Sequence, residues 1–237
     1  MGTSQGTVAE NVAILQERVE RAARRAGRKA SDVTIVGVSK TFPTERIQEA
    51  FEAGIRHFGE NRVQEWESKA PVVEGLAATW HLVGHLQRNK ATRAIRLFHT
   101  IDSLDSLPLA EKLSLAAGEG RRLPVLIEVR LDPTVTKTGC EPTELSRLVE
   151  GVLLMPRLEL RGLMTVPELT ADPQQARPVF RRLREMRDGI SRQFECDLPE
   201  LSMGMSRDFE VAIEEGATQV RIGTALFGAR QTHDRNP

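Results

Sequence analysis

Residues 33–54, "VTIVGVSKTFPTERIQEAFEAG", change their periodicity halfway. The opening "VTIVGVSK" (33–40) is short, β-branched and apolar on both faces, the pattern of a parallel strand covered on both sides. From Thr44 the apolar residues recur at helical spacing, with Thr44 expected as N-cap and Gly54 just past the end. The turn between them, "GVSKTFPTE" (37–45), carries no G-x-G-x-x-G, so this βα unit lacks the dinucleotide fingerprint of a doubly wound sheet.

The same unit recurs along the chain. Before it, residues 7–27 read as a helix, with Val8, Val12, Leu15 and Val19 as an apolar stripe and Gly27 at its end. After it, strands are predicted at 55–60, 79–85, 98–103, 124–130, 158–166, 199–204 and 219–228, separated by helical stretches such as 105–120 and 174–193. Eight βα units in one chain, with no Pro/Ser linker or low-complexity break, predict a single (β/α)8 TIM barrel of class α/β over residues 1–237, with an additional N-terminal helix. An open doubly wound sheet is the alternative.

Composition narrows the functions available. Lys+Arg and Asp+Glu both number 33, so the net charge is zero, which argues against a nucleic-acid-binding surface. No apolar run is long enough to span a bilayer, and "MGTSQGTVAE" is neither a signal peptide nor a myristoylation signal. Cys140 and Cys196 show no metal-ligand spacing and read as reduced thiols, so a cytoplasmic location and no bound metal are expected. The chain contains no tyrosine.

In such barrels chemistry sits at the C-terminal ends of the strands. Lys40, Glu60, Asn61, His85, Gln87, Asp102, Ser103, Arg130, Lys137 and Thr165 all fall at that rim. The loops after strands 7 and 8, a frequent phosphate site, hold "LSMGMSRDFE" (201–210) and "VRIGTALFG" (220–228). There Gly204 and Gly223 admit close backbone approach, and Ser206 and Thr224 offer hydroxyl donors; the competing reading is that these residues only build tight turns. Lys40, directly after an apolar strand, is placed for partial desolvation, which would lower its pKa and free a nucleophilic amine. An amine facing a phosphate site suits either a Schiff-base aldolase acting on a sugar phosphate or pyridoxal 5′-phosphate (PLP) held by the lysine.

Six motifs extend this reading: "VGVSK" (36–40), "HFGENRVQE" (57–65), "WHLVGHLQRNK" (80–90), "LRGLMTV" (160–166), "LSMGMSRD" (201–208) and "VRIGTALFGAR" (220–230). On them the chain resembles the YggS/PROSC-type pyridoxal phosphate homeostasis proteins. The resemblance implies a fold-type III PLP barrel, like the N-terminal domain of alanine racemase. It implies a protein that buffers or delivers PLP, with PLP-dependent apo-enzymes as possible recipients and no catalytic reaction of its own; a weak amino-acid racemase or another PLP-dependent enzyme is the alternative. Carried over residue by residue, Lys40 is the lysine of the covalent aldimine and Asn61 lies near the phenolic oxygen. Met205 (through its backbone), Ser206, Gly223 and Thr224 form the phosphate cradle, and Arg221 faces the pyridine nitrogen. Glu60 and Arg62 are expected to brace the rim. His81 reads as a packed strand residue, His85 as either a pocket or a structural residue, and Lys137 as a second rim amine. A monomer is expected.

Two features separate binder from racemase. Racemization needs an acid/base group on each face of the cofactor, and the tyrosine that serves alanine racemases from a second domain has no counterpart here. Arg221, always protonated, would leave the pyridine nitrogen unprotonated and a weak electron sink.

Overall fold

The computed structural model describes residues 6–118, 120, 122–132, 138–168 and 170–228. Eight parallel strands close into a barrel in sequence order: β1 Thr34–Val38, β2 His57–Glu60, β3 Thr79–Leu82, β4 Thr100–Leu104, β5 Leu123–Glu128, β6 Leu158–Met164, β7 Glu200–Met205 and β8 Gln219–Ile222. β8 pairs with β1 through Thr34 to Gly37, which closes the ring and rules out an open sheet. Helices α1 Val8–Arg25, α2 Thr44–Glu52, α3 Val63–Val73, α4 Ala91–Leu97, α5 Leu107–Ala116, α6 Leu145–Leu153, α7 Arg177–Gln193, α8 Phe209–Glu214 and α9 Thr224–Phe227 surround it.

Helix α1 packs against α2, α8 and α9, filling the outer ring beside the β8–β1 seam with the predicted stripe of Val8, Val12, Leu15 and Val19. Thr7 is its cap rather than its first turn. The Thr7 hydroxyl accepts from Glu10 N while Glu10 Oε2 accepts from Thr7 N, so two otherwise orphaned donors are satisfied. Thr44 is likewise displaced by one position: Pro43 is the N-cap of α2, and Thr44 opens the helix.

Strand boundaries contract relative to the sequence reading. β1 ends at Val38, so Lys40 stands in the turn beyond it. β8 ends at Ile222, and Gly223 turns the chain into the single helical turn of α9. The apolar layer between sheet and helices is continuous, and between β2, β3, α3 and α4 it contains Phe58, Trp66, Trp80 and Phe98. The barrel axis, by contrast, carries buried His81, Asp102, Ser202, Gln219 and Arg221. Buried polar groups require partners: His81 meets Asp102 and Arg221 meets Ser202, while Gln219 donates to Glu200 and its Oε1 has no hydrogen-bond partner among the described residues.

Candidate functional site

Arg221 is the centre of the mouth. It projects from β8, is 5% exposed, and donates to Ser202 Oγ and to the Thr165 carbonyl, each at 2.8 Å. Two fixed acceptors orient a planar fork that a lysine would not reproduce. Burial pulls the guanidinium downward, and Asp102, Glu128 and Asp208 oppose that pull. Even so, a guanidinium keeps its charge in proteins. In return, burial pushes Glu128 and Asp208 up while Arg221 works against both shifts.

The loops after β7 and β8 meet beside it. Gly204 has φ +92°, and a Cβ there would stand 2.5 Å from the Ala212 Cβ and 3.0 Å from the Phe209 Cα. Its glycine is therefore required by the close packing of β7 on α8. Gly223 differs: φ is −105°, and a Cβ would meet nothing nearer than the Val38 carbonyl at 3.6 Å. A Cβ at Gly223 would thus make only ordinary contact with Val38, without a clash. Ser206 Oγ accepts from Ala225 N at 3.3 Å, which ties the two loops together and leaves the hydroxyl proton to donate. Met205 N donates to Asp208 Oδ1 at 2.6 Å, so Met205 lines the loop with its N–H already engaged.

Lys40 is half-buried in the turn after β1. Its neighbour Thr41 has φ +66°, an outlying conformation for a β-branched residue. Asn61 follows β2, and its backbone sits so close to β3's exit that a Cβ on Gly84 would lie 2.4 Å from the Asn61 carbonyl oxygen. Gly84 is thus what allows Asn61 to reach the mouth, a signal present in "LVGH" but not read.

Other sequence-derived candidates divide. Glu60 braces the turn after β1 from within. It is fully buried, accepting from Ser39 Oγ at 2.8 Å and from Lys69 Nζ at 3.3 Å, and burial pushes its carboxyl up. Arg62 is the exposed N-cap of α3. His85 sits at the rim with Nδ1 3.2 Å from Asp105 Oδ2. His81 is buried inside the barrel, where Nδ1 meets Asp102 Oδ2 at 2.9 Å and Nε2 meets His57 Nδ1 at 3.0 Å. Arg130 pairs with Glu141. Lys137 lies outside the described residues. Residues that sequence reasoning missed include His57, Glu65, Lys69 and Asp208, all of which act through tertiary contacts.

Cys140 is buried and its thiol is pushed up to about 12 by burial; Cys196 is partly buried, and neither is in a disulfide. Among the described residues no three or more His, Cys, Asp or Glu are grouped to hold a metal ion, and no helix is long and apolar enough to cross a membrane.

Fold and site together define a class: a closed (β/α)8 barrel whose mouth gathers an amine after β1, a buried guanidinium on β8 and hydroxyls in the last two βα loops. Residues 11–231 match the family model described as "Alanine racemase, N-terminal domain". The pyridoxal phosphate homeostasis protein of Aquifex aeolicus is 44% identical over 223 residues, covering 94% of this chain and 98% of that protein. PipY of Synechococcus elongatus PCC7942, solved with PLP bound, is 38% identical with a TM-score of 0.83, over 93% of this chain and all of PipY. Alanine racemase of Clostridium difficile aligns with a TM-score of 0.74 at 16% identity, over 95% of this chain and 58% of the racemase, a likeness of fold. The chain belongs to the alanine racemase N-terminal domain family and, within it, to the pyridoxal phosphate homeostasis proteins.

Proposed function

We propose that this protein holds PLP at the barrel mouth through Lys40 and keeps it available for exchange, serving cofactor homeostasis without turning over amino acids. The observation that carries the reading is the convergence on one rim of Lys40, Arg221, Ser206 and Gly223. A relative of 38% identity solved with PLP bound supports it.

The donor set suits the cofactor. PLP, when bound, supplies an aldehyde that condenses with a primary amine, and a ring that draws electrons from the bond so formed. Lys40 contributes the amine. Ser206 and Thr224 donate hydroxyl protons toward the phosphate, and Gly223 keeps a Cβ out of its space. Asn61, directly after β2, would serve the ring's phenolic side. Arg221 carries only donors, so facing the ring nitrogen it would offer no proton acceptor and would leave that nitrogen unprotonated. That weakens the ring's pull on electrons. No tyrosine exists in the chain to deliver a proton to the opposite face. As a monomer, the barrel leaves the mouth open to a competing amine, the route by which cofactor would pass to an apo-enzyme.

The test is a visible spectrum of protein incubated with PLP, before and after borohydride reduction, followed by peptide mapping. A reduced adduct on Lys40, together with absent racemization of added amino acids, is the expected result. An adduct confined to Lys69 or Lys90 would overturn the assignment of Lys40.

A further inference from the structure

The turn that carries Lys40 is held from both sides by one helix. Lys69 Nζ, on α3, donates to the Ser39 carbonyl at 3.1 Å. Glu65 Oε1, one turn earlier on the same helix, accepts from Thr41 N at 2.6 Å. The two side chains are joined to each other at 2.8 Å, and Lys69 reaches on to Glu60 Oε1 at 3.3 Å. Glu60 closes the circuit by accepting from Ser39 Oγ at 2.8 Å. The peptide groups immediately before and after Lys40 are thus fastened to a single ion-pair network.

By spacing alone Glu65 and Lys69 are an i,i+4 pair of the kind found on any solvated helix, contributing a few tenths of a kcal/mol. Their placement differs from that case. The Lys69 side chain is 14% exposed and that of Glu60 is not exposed at all. Burial pushes the Glu60 carboxyl up, Lys69 and Ser39 oppose it, and its Oε2 has no hydrogen-bond partner among the described residues. Glu65 is 27% exposed, but the Lys69–Glu60 pair is held away from water, and such a pair is costly unless its geometry is well satisfied. Here its bonds to the backbone fall at residues 39 and 41.

The backbone between those points is strained. Thr41, β-branched, is held at φ +66°. Barrel closure does not require this: β1 has ended at Val38 and α2 begins at Thr44. Strain of this sort persists where surrounding contacts over-determine a conformation, and it concentrates at functional positions.

We propose that Glu65 and Lys69 are positioning residues for Lys40: by fixing the flanking peptide groups they set the origin and direction of its side chain toward the mouth. The inference rests on the reading of Lys40 as the cofactor-linking amine. Neither residue touches the cofactor in this account; both act through the backbone of the turn.

The test uses Glu65→Ala, Glu65→Gln and the double variant Glu60→Gln/Lys69→Met, which removes the buried carboxylate together with its cation; the one charge it leaves unpaired, on Glu65, is 27% exposed and can be solvated. The first readout needs no cofactor: hydrogen exchange of the Thr41 amide by NMR. Loss of a bond to a charged acceptor should speed it at least about tenfold in Glu65→Ala, with strand amides unchanged. The second is the rate at which added PLP becomes borohydride-trappable on Lys40. This should fall roughly tenfold in Glu65→Ala and in the double variant, and recover most of the way in Glu65→Gln, whose amide oxygen still accepts from Thr41. Wild-type linking rates in both Glu65→Ala and the double variant would overturn the positioning role, whatever the exchange shows. Unchanged Thr41 exchange in Glu65→Ala would overturn the clamp itself. Failure of the wild type to link PLP at Lys40 would instead defeat the proposed function, leaving the clamp to be decided by exchange alone.

Discussion

His57 Nδ1 lies 3.0 Å from His81 Nε2 in the interior of the barrel. The two residues are not paired in register: His57 is opposite Thr79, and His81 is opposite Gly59. The contact is a diagonal, two residues up on the neighbouring strand, and the next step repeats it. His81 is opposite Thr100 in β4, yet its Nδ1 meets Asp102, which also accepts from Thr100 Oγ1 at 2.8 Å. Strand tilt turns three separate side chains into a climbing chain that ends near Arg221, whose charge Asp102 supports.

This chain predicts a pH dependence of stability. His57 is lowered from 6.5 to about 4, chiefly by burial and then by His81. Between those values the unfolded chain takes up a proton that the folded protein refuses. Stability from this group therefore falls as pH drops from about 6.5 to about 4 and changes no further below. Glu60, Glu128, Glu200 and Asp208, all raised by burial, act with the opposite sign, since protonation favours their folded state. The check is urea unfolding across that window for wild type and His57→Gln. The difference between the two should grow in favour of the variant as pH falls; parallel curves would show that His57 does not titrate as described.

Gly204→Ala and Gly223→Ala should part company. The first places a Cβ 2.5 Å from that of Ala212 at φ +92°, and should cost about 1–3 kcal/mol in urea unfolding. The second meets no clash but stands at φ −105°, ψ −85°, at the edge of what a residue with a Cβ adopts, so its cost should stay at about 1 kcal/mol. Its methyl would occupy the cradle, so PLP affinity should drop. Unchanged PLP binding in a stable Gly223→Ala would remove that loop from the site.

The order of the eight strands was legible in the sequence because each is a β-branched or apolar run followed by a helical period. The exit of β8 was not, since "VRIGTALFG" reads as continuous strand and only its contacts show Gly223 breaking it into α9. Lys40 and Ser206 could be placed at the mouth because strand ends and loop chemistry are local properties, whereas Arg221, inside β8, came only with the family resemblance. Glu60 could be placed at the end of β2, but its full burial could not be read, because burial of a carboxylate depends on Lys69 arriving from α3. Nothing local to "WESKA" distinguishes Lys69 from a solvated helix residue, and the His57–His81–Asp102 chain exists only once the strands are tilted against one another.

Ser206→Ala and Thr224→Ala should each weaken PLP binding by about 1–3 kcal/mol, the range for a hydrogen bond to a charged group. Ser206→Ala should show a second effect that Thr224→Ala does not. It removes the acceptor of Ala225 N and so loosens the tie between the last two βα loops. Titration with PLP and with pyridoxal separates the terms. Pyridoxal, lacking the phosphate, should bind the wild type poorly and be nearly indifferent to Thr224→Ala. Equal affinity of the wild type for both compounds would show that these loops do not hold a phosphate.

Arg221 decides between carrier and enzyme, and its surroundings dictate which variants are informative. Asp102, Glu128 and Asp208 all act on it, so Arg221→Glu would add a fourth acidic group and strip the charge that supports the other three. That change should cost about 3–5 kcal/mol, as breaking a buried ion pair does, and would report on folding alone. Arg221→Lys keeps the charge but not the planar fork that serves Ser202 and Thr165 together. It should cost about 1–3 kcal/mol, shift the spectrum of bound PLP, and leave the protein folded. Racemization of alanine should stay near background in wild type and variant alike. On the proposed reading Arg221 would leave the ring nitrogen unprotonated in the wild type, and in both no tyrosine is present to return a proton to the far face. Wild-type turnover with a kcat of about 1 per second or more would end the carrier reading. The missing proton donor would then be sought first at His85. It stands at the rim beside Asp105 with its side chain 46% exposed, whereas Glu60 is fully buried against Ser39 and Lys69.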